Sequence, residues 1–141
     1  MNTLAETSDY LQTISETLHL LDSQRDVFQF LIDLGQEVQP LTDTTQATLV
    51  PGCLSKVWIK TEIIDTRVQI LGVAEALIVK GYVAILIQAF SGLTIQDLKQ
   101  TQPIIQEFIH HSKISHSILP TRSNAFASIY EVIFDSAVKS I

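Results

Sequence analysis

Cys53 is the single cysteine of the chain, and it follows a proline–glycine pair in Val50-Pro51-Gly52-Cys53. Proline presets φ near −65° at the second position of a turn, and glycine supplies the positive φ that a type II turn needs at the third. The thiol is therefore expected where the chain leaves a tight turn and enters the apolar, tryptophan-bearing run SKVWIKTEII. A loop tip on a rigid sheet is a frequent location for reactive groups. A lone cysteine is also one of the most readily buried residue types, and as such is inert. Local physics leaves both readings open.

A nucleophilic Cys53 needs thiolate character, which nearby cations or helix N-terminal amides provide by lowering a pKa of about 8.5. Lys56 is near in sequence, but an extended strand turns it to the opposite face; Arg122 and the histidines can reach the thiol only through the fold. A metal site built from Cys53, His110, His111 and His116 has poor spacing, because adjacent His110 and His111 diverge on a helix and no CxxC or HxxxH pattern supports them. A Cys–His hydrolase pair lacks a signature around the thiol. Neither a Walker loop nor a GxGxxG occurs. Lys80 lies in the apolar run ALIVKGYVAILIQAF, as a snorkelling side chain or as a catalytic or partner-docking one.

The elements that must carry these residues fit one domain of 141 residues with 46% hydrophobic residues and a mean hydropathy of +0.27. A net charge of −6 with scattered basic residues gives no footprint for nucleic acid. The N-terminal MNTLAETSDYLQ shows neither a basic n-region nor an apolar h-region, and the most apolar run is shorter than the roughly 20 residues a membrane span needs. A cytoplasmic protein is expected, and one cysteine suits a reducing compartment.

Tyr10, Leu11, Ile14, Leu18 and Leu21 recur at helical steps and predict a first amphipathic helix. Ser23 reads as the N-cap of a second, with Asp26 in its first turn and Val27, Phe28, Leu31, Ile32, Leu34 and Val38 as its stripe. Gly35 within that stripe marks a close contact, and Pro40 ends the helix. Residues 41–48 read as a polar loop or edge segment. Short extended runs follow from Leu49; Val57, Ile59, Thr61 and Ile63 share one face, and the turn at Asp65 and Thr66 makes an antiparallel hairpin. A buried helix spans Glu75 to Phe90, Thr94 caps a short helix, and Pro103 opens another. A last helix carries Phe126, Ile129, Tyr130, Ile133, Phe134, Ala137, Val138 and Ile141. The class is α+β, a small antiparallel three-stranded sheet packed against several helices.

Four ordered stretches, VPGCLSKVWI, ALIVKGYVAIL, SGLTIQDL and LPTRSNAF, together resemble the SufE/CsdE sulfur-acceptor family over about residues 24–140. The family pattern is Gly-Cys-Gln-Ser-x-Val-Trp, an apolar helix with Ile-x-Lys-Gly, and a Pro-Ser-Arg-x-like turn before the last helix. The resemblance implies a single SufE/IscU-like domain over residues 1–141, with residues 1–22 a variable N-terminal helix. It implies that Cys53 takes sulfane sulfur from a PLP-dependent cysteine desulfurase of the SufS/CsdA type, stimulates that enzyme, and passes sulfur toward Fe–S scaffold proteins, with no bound cofactor or metal of its own. Gly52, Ser55, Lys80 and Arg122 are implied as supports of the loop or the partner interface. The alternative is a non-catalytic binding module of the same fold; a homodimer is left open. Leu54 and Lys56 replace family glutamines, and Gly72-Val-Ala-Glu75 stands in place of Gly-Asp-Ser-Asp, so these departures, Val73 among them, mark the expected docking surface.

Overall fold

The computed structural model describes residues 2–38, 41–52, 55–112, 114 and 120–139, with residues 120–124 described by backbone alone. Two helices come first, α1 (Leu4–Leu20) and α2 (Gln24–Gln36), then strands β1 (Thr48–Leu49), β2 (Val57–Ile64) and β3 (Arg67–Ala74). Four further helices follow: α3 (Leu77–Phe90), α4 (Ile95–Leu98), α5 (Gln102–His111) and α6 (Pro120–Lys139). The three strands form one antiparallel sheet in the order β1-β2-β3, so the α+β class and its three-stranded sheet hold.

Alternation in β2 sends Val57 and Ile59 into the core, and their register partner rows on β3 bring Ala74, Ile70 and Val68 to the same face. That face packs on α3 and α6. The other face carries Lys60 and Glu62, paired at 3.2 Å. The hairpin closes through Asp65 and Thr66, both at positive φ (51° and 66°), the two-residue turn whose twist matches that of the strands.

Ser23 caps α2 by accepting from the Asp26 N–H at 3.1 Å, and Thr94 caps α4 by accepting from Asp97 at the same distance. Gly35 is a contact glycine, as its place in the stripe implied: a Cβ there would lie 2.8 Å from Lys80 Cβ. Gly81 answers it from α3, where a Cβ would run into the carbonyl oxygen of Leu31. These two hydrogens let α2 and α3 cross in close contact.

α1 is an integral part of the core. Leu11, Ile14 and Leu18 are buried, and the buried Thr7 hydroxyl donates to Ala89 O at 2.6 Å. The Asn2 amide donates to the carbonyls of Gln88, Ala89 and Ser91, covering the acceptor end of α3. Two boundaries differ from the sequence reading. α3 begins at Leu77, because Glu75 is held by Lys56 just ahead of β2; α6 begins at Pro120, so Thr121 and Arg122 form its first turn rather than a turn ahead of it. Proline at the start of a helix loses no hydrogen bond, which is why the motif reads equally as a turn. Pro40 and Ile141, named for the ends of α2 and α6, lie outside the described residues.

Candidate functional site

The segment carrying the cysteine joins β1 to β2 at one end of the sheet. Its two stems are tied together: the Val50 N–H donates to Val57 O at 2.9 Å, and both side chains are buried. Pro51 and Gly52 are exposed and form a turn with Gly52 at φ 80°, the type II position expected of this glycine. Among the described residues a Cβ at Gly52 would meet nothing within 4 Å. Among the described residues it is therefore the backbone angle, not a shortage of space, that calls for glycine.

Ser55 is half-buried and Lys56 exposed on the way back into β2. Lys56 is gripped by Glu75, the first residue beyond β3. The Lys56 N–H donates to Glu75 Oε1 at 2.9 Å, and the Glu75 N–H donates to Lys56 O at 3.1 Å. Sequence reasoning does not single out Glu75 as a site residue. It was legible only as the acidic end of Gly72-Val-Ala-Glu75, since its partner is set by the hairpin register, which pairs Val57 with Ala74 and brings Lys56 opposite Glu75.

Cys53 and Leu54 lie outside the described residues, as does the side chain of Arg122, whose backbone is in the first turn of α6, a helix that packs on β2. Lys80 is half-buried, its Cβ beside Gly35, and it lines a cavity of about 60 Å³ with Gly72, Val73 and Ala74. Ala74 and Val73 pair with Val57 and Trp58, so Lys80 stands at the end of the sheet where the cysteine segment opens. Its stem is packed, as a snorkelling lysine requires. The register also aligns Leu49, Trp58 and Val73 across the sheet, on the face away from α3 and α6. Leu49 is 45% exposed, so this row presents apolar surface beside the segment.

His110 and His111 sit edge to face with ring centres 4.9 Å apart, and the carbonyl of His111 lies 2.6 Å from His19 Nε2. Among the described residues no three His, Cys, Asp or Glu side chains converge to hold a metal ion; Cys53 and His116 are outside them. Among the described residues, no helix is long and apolar enough to cross a membrane.

Comparison with known proteins places this geometry in a lineage. The family model described as SufE, Fe-S metabolism associated domain, matches residues 12–137 and so takes in much of α1. An uncharacterised SufE-like protein of Synechocystis is 31% identical over 113 residues, covering 79% of this chain and 69% of the relative. A solution structure of a hypothetical protein from Thermus thermophilus superposes with a TM-score of 0.75 over 93% of this chain and 95% of its own, at 15% identity, which speaks for the fold. On the family match and the Synechocystis relative together, the chain belongs to the SufE family of Fe–S metabolism.

Proposed function

We propose that the protein is a sulfur carrier that takes persulfide sulfur from a PLP-dependent cysteine desulfurase onto Cys53 and passes it toward iron–sulfur cluster assembly. The observation that carries this reading is the pairing of family membership with a single thiol set just after the Pro51–Gly52 turn, in a segment tied at both stems. Stems held by the Val50–Val57 and Lys56–Glu75 bonds leave the middle of the segment as the part that reaches a partner.

In the transfer step the Cys53 thiolate attacks the terminal sulfur of the donor's Cys–S–SH. A new S–S bond forms at Cys53, the donor's S–S bond breaks, and the donor cysteine leaves as thiolate, with no net oxidation. Delivery repeats the step with the next acceptor's thiolate as nucleophile. A thiol of ordinary pKa is only a few per cent thiolate at neutral pH, so a cation helps, and Arg122 takes that part. Gly52 sets the turn, Ser55 and Lys80 support the segment or the partner interface, and the Leu49–Trp58–Val73 row receives the desulfurase.

A second reading keeps the fold and the docking row without sulfur transfer. It draws on Val73, an apolar residue in that row at a position where the family pattern has an acid. Incubation with a desulfurase and L-cysteine followed by intact mass measurement separates the two. Transfer gives an addition of about 32 Da per sulfur that is lost in Cys53→Ser. Complex formation without any added mass selects the binding module.

A further inference from the structure

The charge of this chain is unevenly placed. Residues 1–38 hold seven acidic side chains and one basic, whereas residues 39–141 hold eight of each. The whole net charge of −6 thus resides on the stretch that forms α1 and α2. Those two helices, with α3, wall a groove of about 560 Å³ whose far side is the outer edge of β3. Leu34, Ile70, Leu71 and Ile87 give it an apolar floor, while Tyr10, Thr13, Thr17, Glu37, Gln69 and Gln88 supply polar groups. Among the described residues Glu37 is its one charged lining residue, and an adjoining cavity of about 360 Å³, sharing Tyr10, Ile87 and Gln88, adds Glu6 and no base.

The β3 edge is partly spoken for. Val68 exchanges both backbone bonds with Gly92 and Leu93, and the Ile70 N–H donates to Ser91 Oγ. By the alternation of an antiparallel ladder, the Ile70 carbonyl and the Gly72 N–H also point away from β2. Among the described residues neither meets a hydrogen-bond partner. An edge of this kind accepts an added strand, with alternate side chains read by the surface it lies on.

We propose that the groove between α1, α2 and the edge of β3 docks an extended segment of a partner protein in which basic residues alternate with apolar ones. The apolar side chains enter the floor at Leu34, Leu71 and Ile87, the basic ones meet Glu37 and Glu6, and the backbone continues the pairing begun by Gly92 and Leu93. Burial, with the Glu37 charge second, pushes the Tyr10 phenol up to about 12, so it stays a neutral hydrogen-bonding group at the groove wall. This proposal does not depend on sulfur transfer at Cys53.

The test uses the intact protein and a fluorescently labelled peptide of about eight residues alternating lysine and valine, a length typical of a strand. Expected are saturable anisotropy changes, weakening between roughly 50 and 200 mM salt, and no binding of the matching glutamate–valine peptide. Glu37→Lys and Gln88→Lys, both at exposed positions, each weaken binding about tenfold, and circular dichroism checks that each keeps its fold. Amide shifts on titration gather at Leu34, Glu37, Gln69, Leu71 and Gln88. Absence of binding, unchanged affinity in both lysine variants, or shifts centred on α5 and α6 each overturn the proposal.

Discussion

Lys56 and Glu75 hold each other across the open end of the β2–β3 hairpin, through Lys56 N–H to Glu75 Oε1 at 2.9 Å and Glu75 N–H to Lys56 O at 3.1 Å. The first of these bonds uses a side chain where a ladder would use backbone, so it can be removed by substitution. Glu75→Ala leaves the exposed Lys56 N–H to water and costs about 1 kcal/mol. Its larger effect falls on the segment that Lys56 terminates. We expect the alkylation rate of Cys53 by iodoacetamide to rise several-fold over the parent protein, followed by mass spectrometry. An unchanged rate would show that Glu75 does not restrain the segment.

The α2–α3 crossing makes a sharper prediction. Alanine in place of a helical glycine ordinarily gains about 1 kcal/mol of propensity. In Gly81→Ala the added methyl would meet the Leu31 carbonyl oxygen and its Cβ, so the helices must separate. Overpacking of this kind costs roughly 1–3 kcal/mol and exceeds the propensity gain. Urea denaturation should show a lower midpoint for Gly81→Ala; a raised midpoint would mean that the crossing relaxes freely.

Much of this architecture was legible beforehand, for reasons that lie within short windows of chain. The alternation of Val57, Ile59, Thr61 and Ile63, the turn at Asp65 and Thr66, and the caps at Ser23 and Thr94 are local signals, and each appears where its pattern placed it. What was not legible depends on contacts distant in sequence. Glu75 reads as the start of a helix from sequence, whereas the hairpin register gives it Lys56 as partner. Thr7 is polar and sits in the first turns of α1, yet is fully buried against Ala89, 82 residues away. The charge asymmetry can be counted from the sequence, but its meaning depends on α1 and α2 facing the partly paired outer edge of β3.

The hairpin turn stores strain that can be removed. Thr66 is β-branched and sits at φ 66°, a left-handed angle that suits glycine or asparagine. Thr66→Gly forfeits only an exposed local hydrogen bond to Asp65 O. The strain relieved is of order 1 kcal/mol, so the substitution should raise the thermal midpoint. A fall in the midpoint would assign the Thr66 hydroxyl a larger role than its exposure suggests.

The alkaline limb of the stability curve should report Tyr10. Its pKa is raised from 10.0 to about 12, chiefly by burial and secondly by Glu37. The folded state thus favours the neutral phenol; this contribution is complete below the unfolded pKa and is lost as pH rises from about 10 through 12. Tyr130 is raised by burial too, against an opposing hydrogen bond with Thr101, and adds to the same limb. Tyr10→Phe should flatten the loss of stability between roughly pH 9 and 12 without abolishing it, read from denaturation midpoints across that range. An identical slope in the variant would locate the titration entirely elsewhere.

The row formed by Leu49, Trp58 and Val73 separates docking from chemistry. Leu49 is 45% exposed and its backbone, not its side chain, pairs with Trp58, so Leu49→Glu should change stability by no more than about 0.5 kcal/mol. A carboxylate there interrupts the apolar row on which the proposed desulfurase sits, and truncating or charging such a contact costs about tenfold in affinity. The expected result is a higher concentration of carrier for half-maximal stimulation of the desulfurase, with sulfur loading of Cys53 unchanged at saturation. Val73→Asp, which restores the acid of the family pattern opposite Trp58, tests the same row from β3 and should shift partner affinity while leaving the fold intact. If Leu49→Glu instead lowers loading at saturation and leaves affinity alone, the row belongs to the transfer step and docking lies on another face.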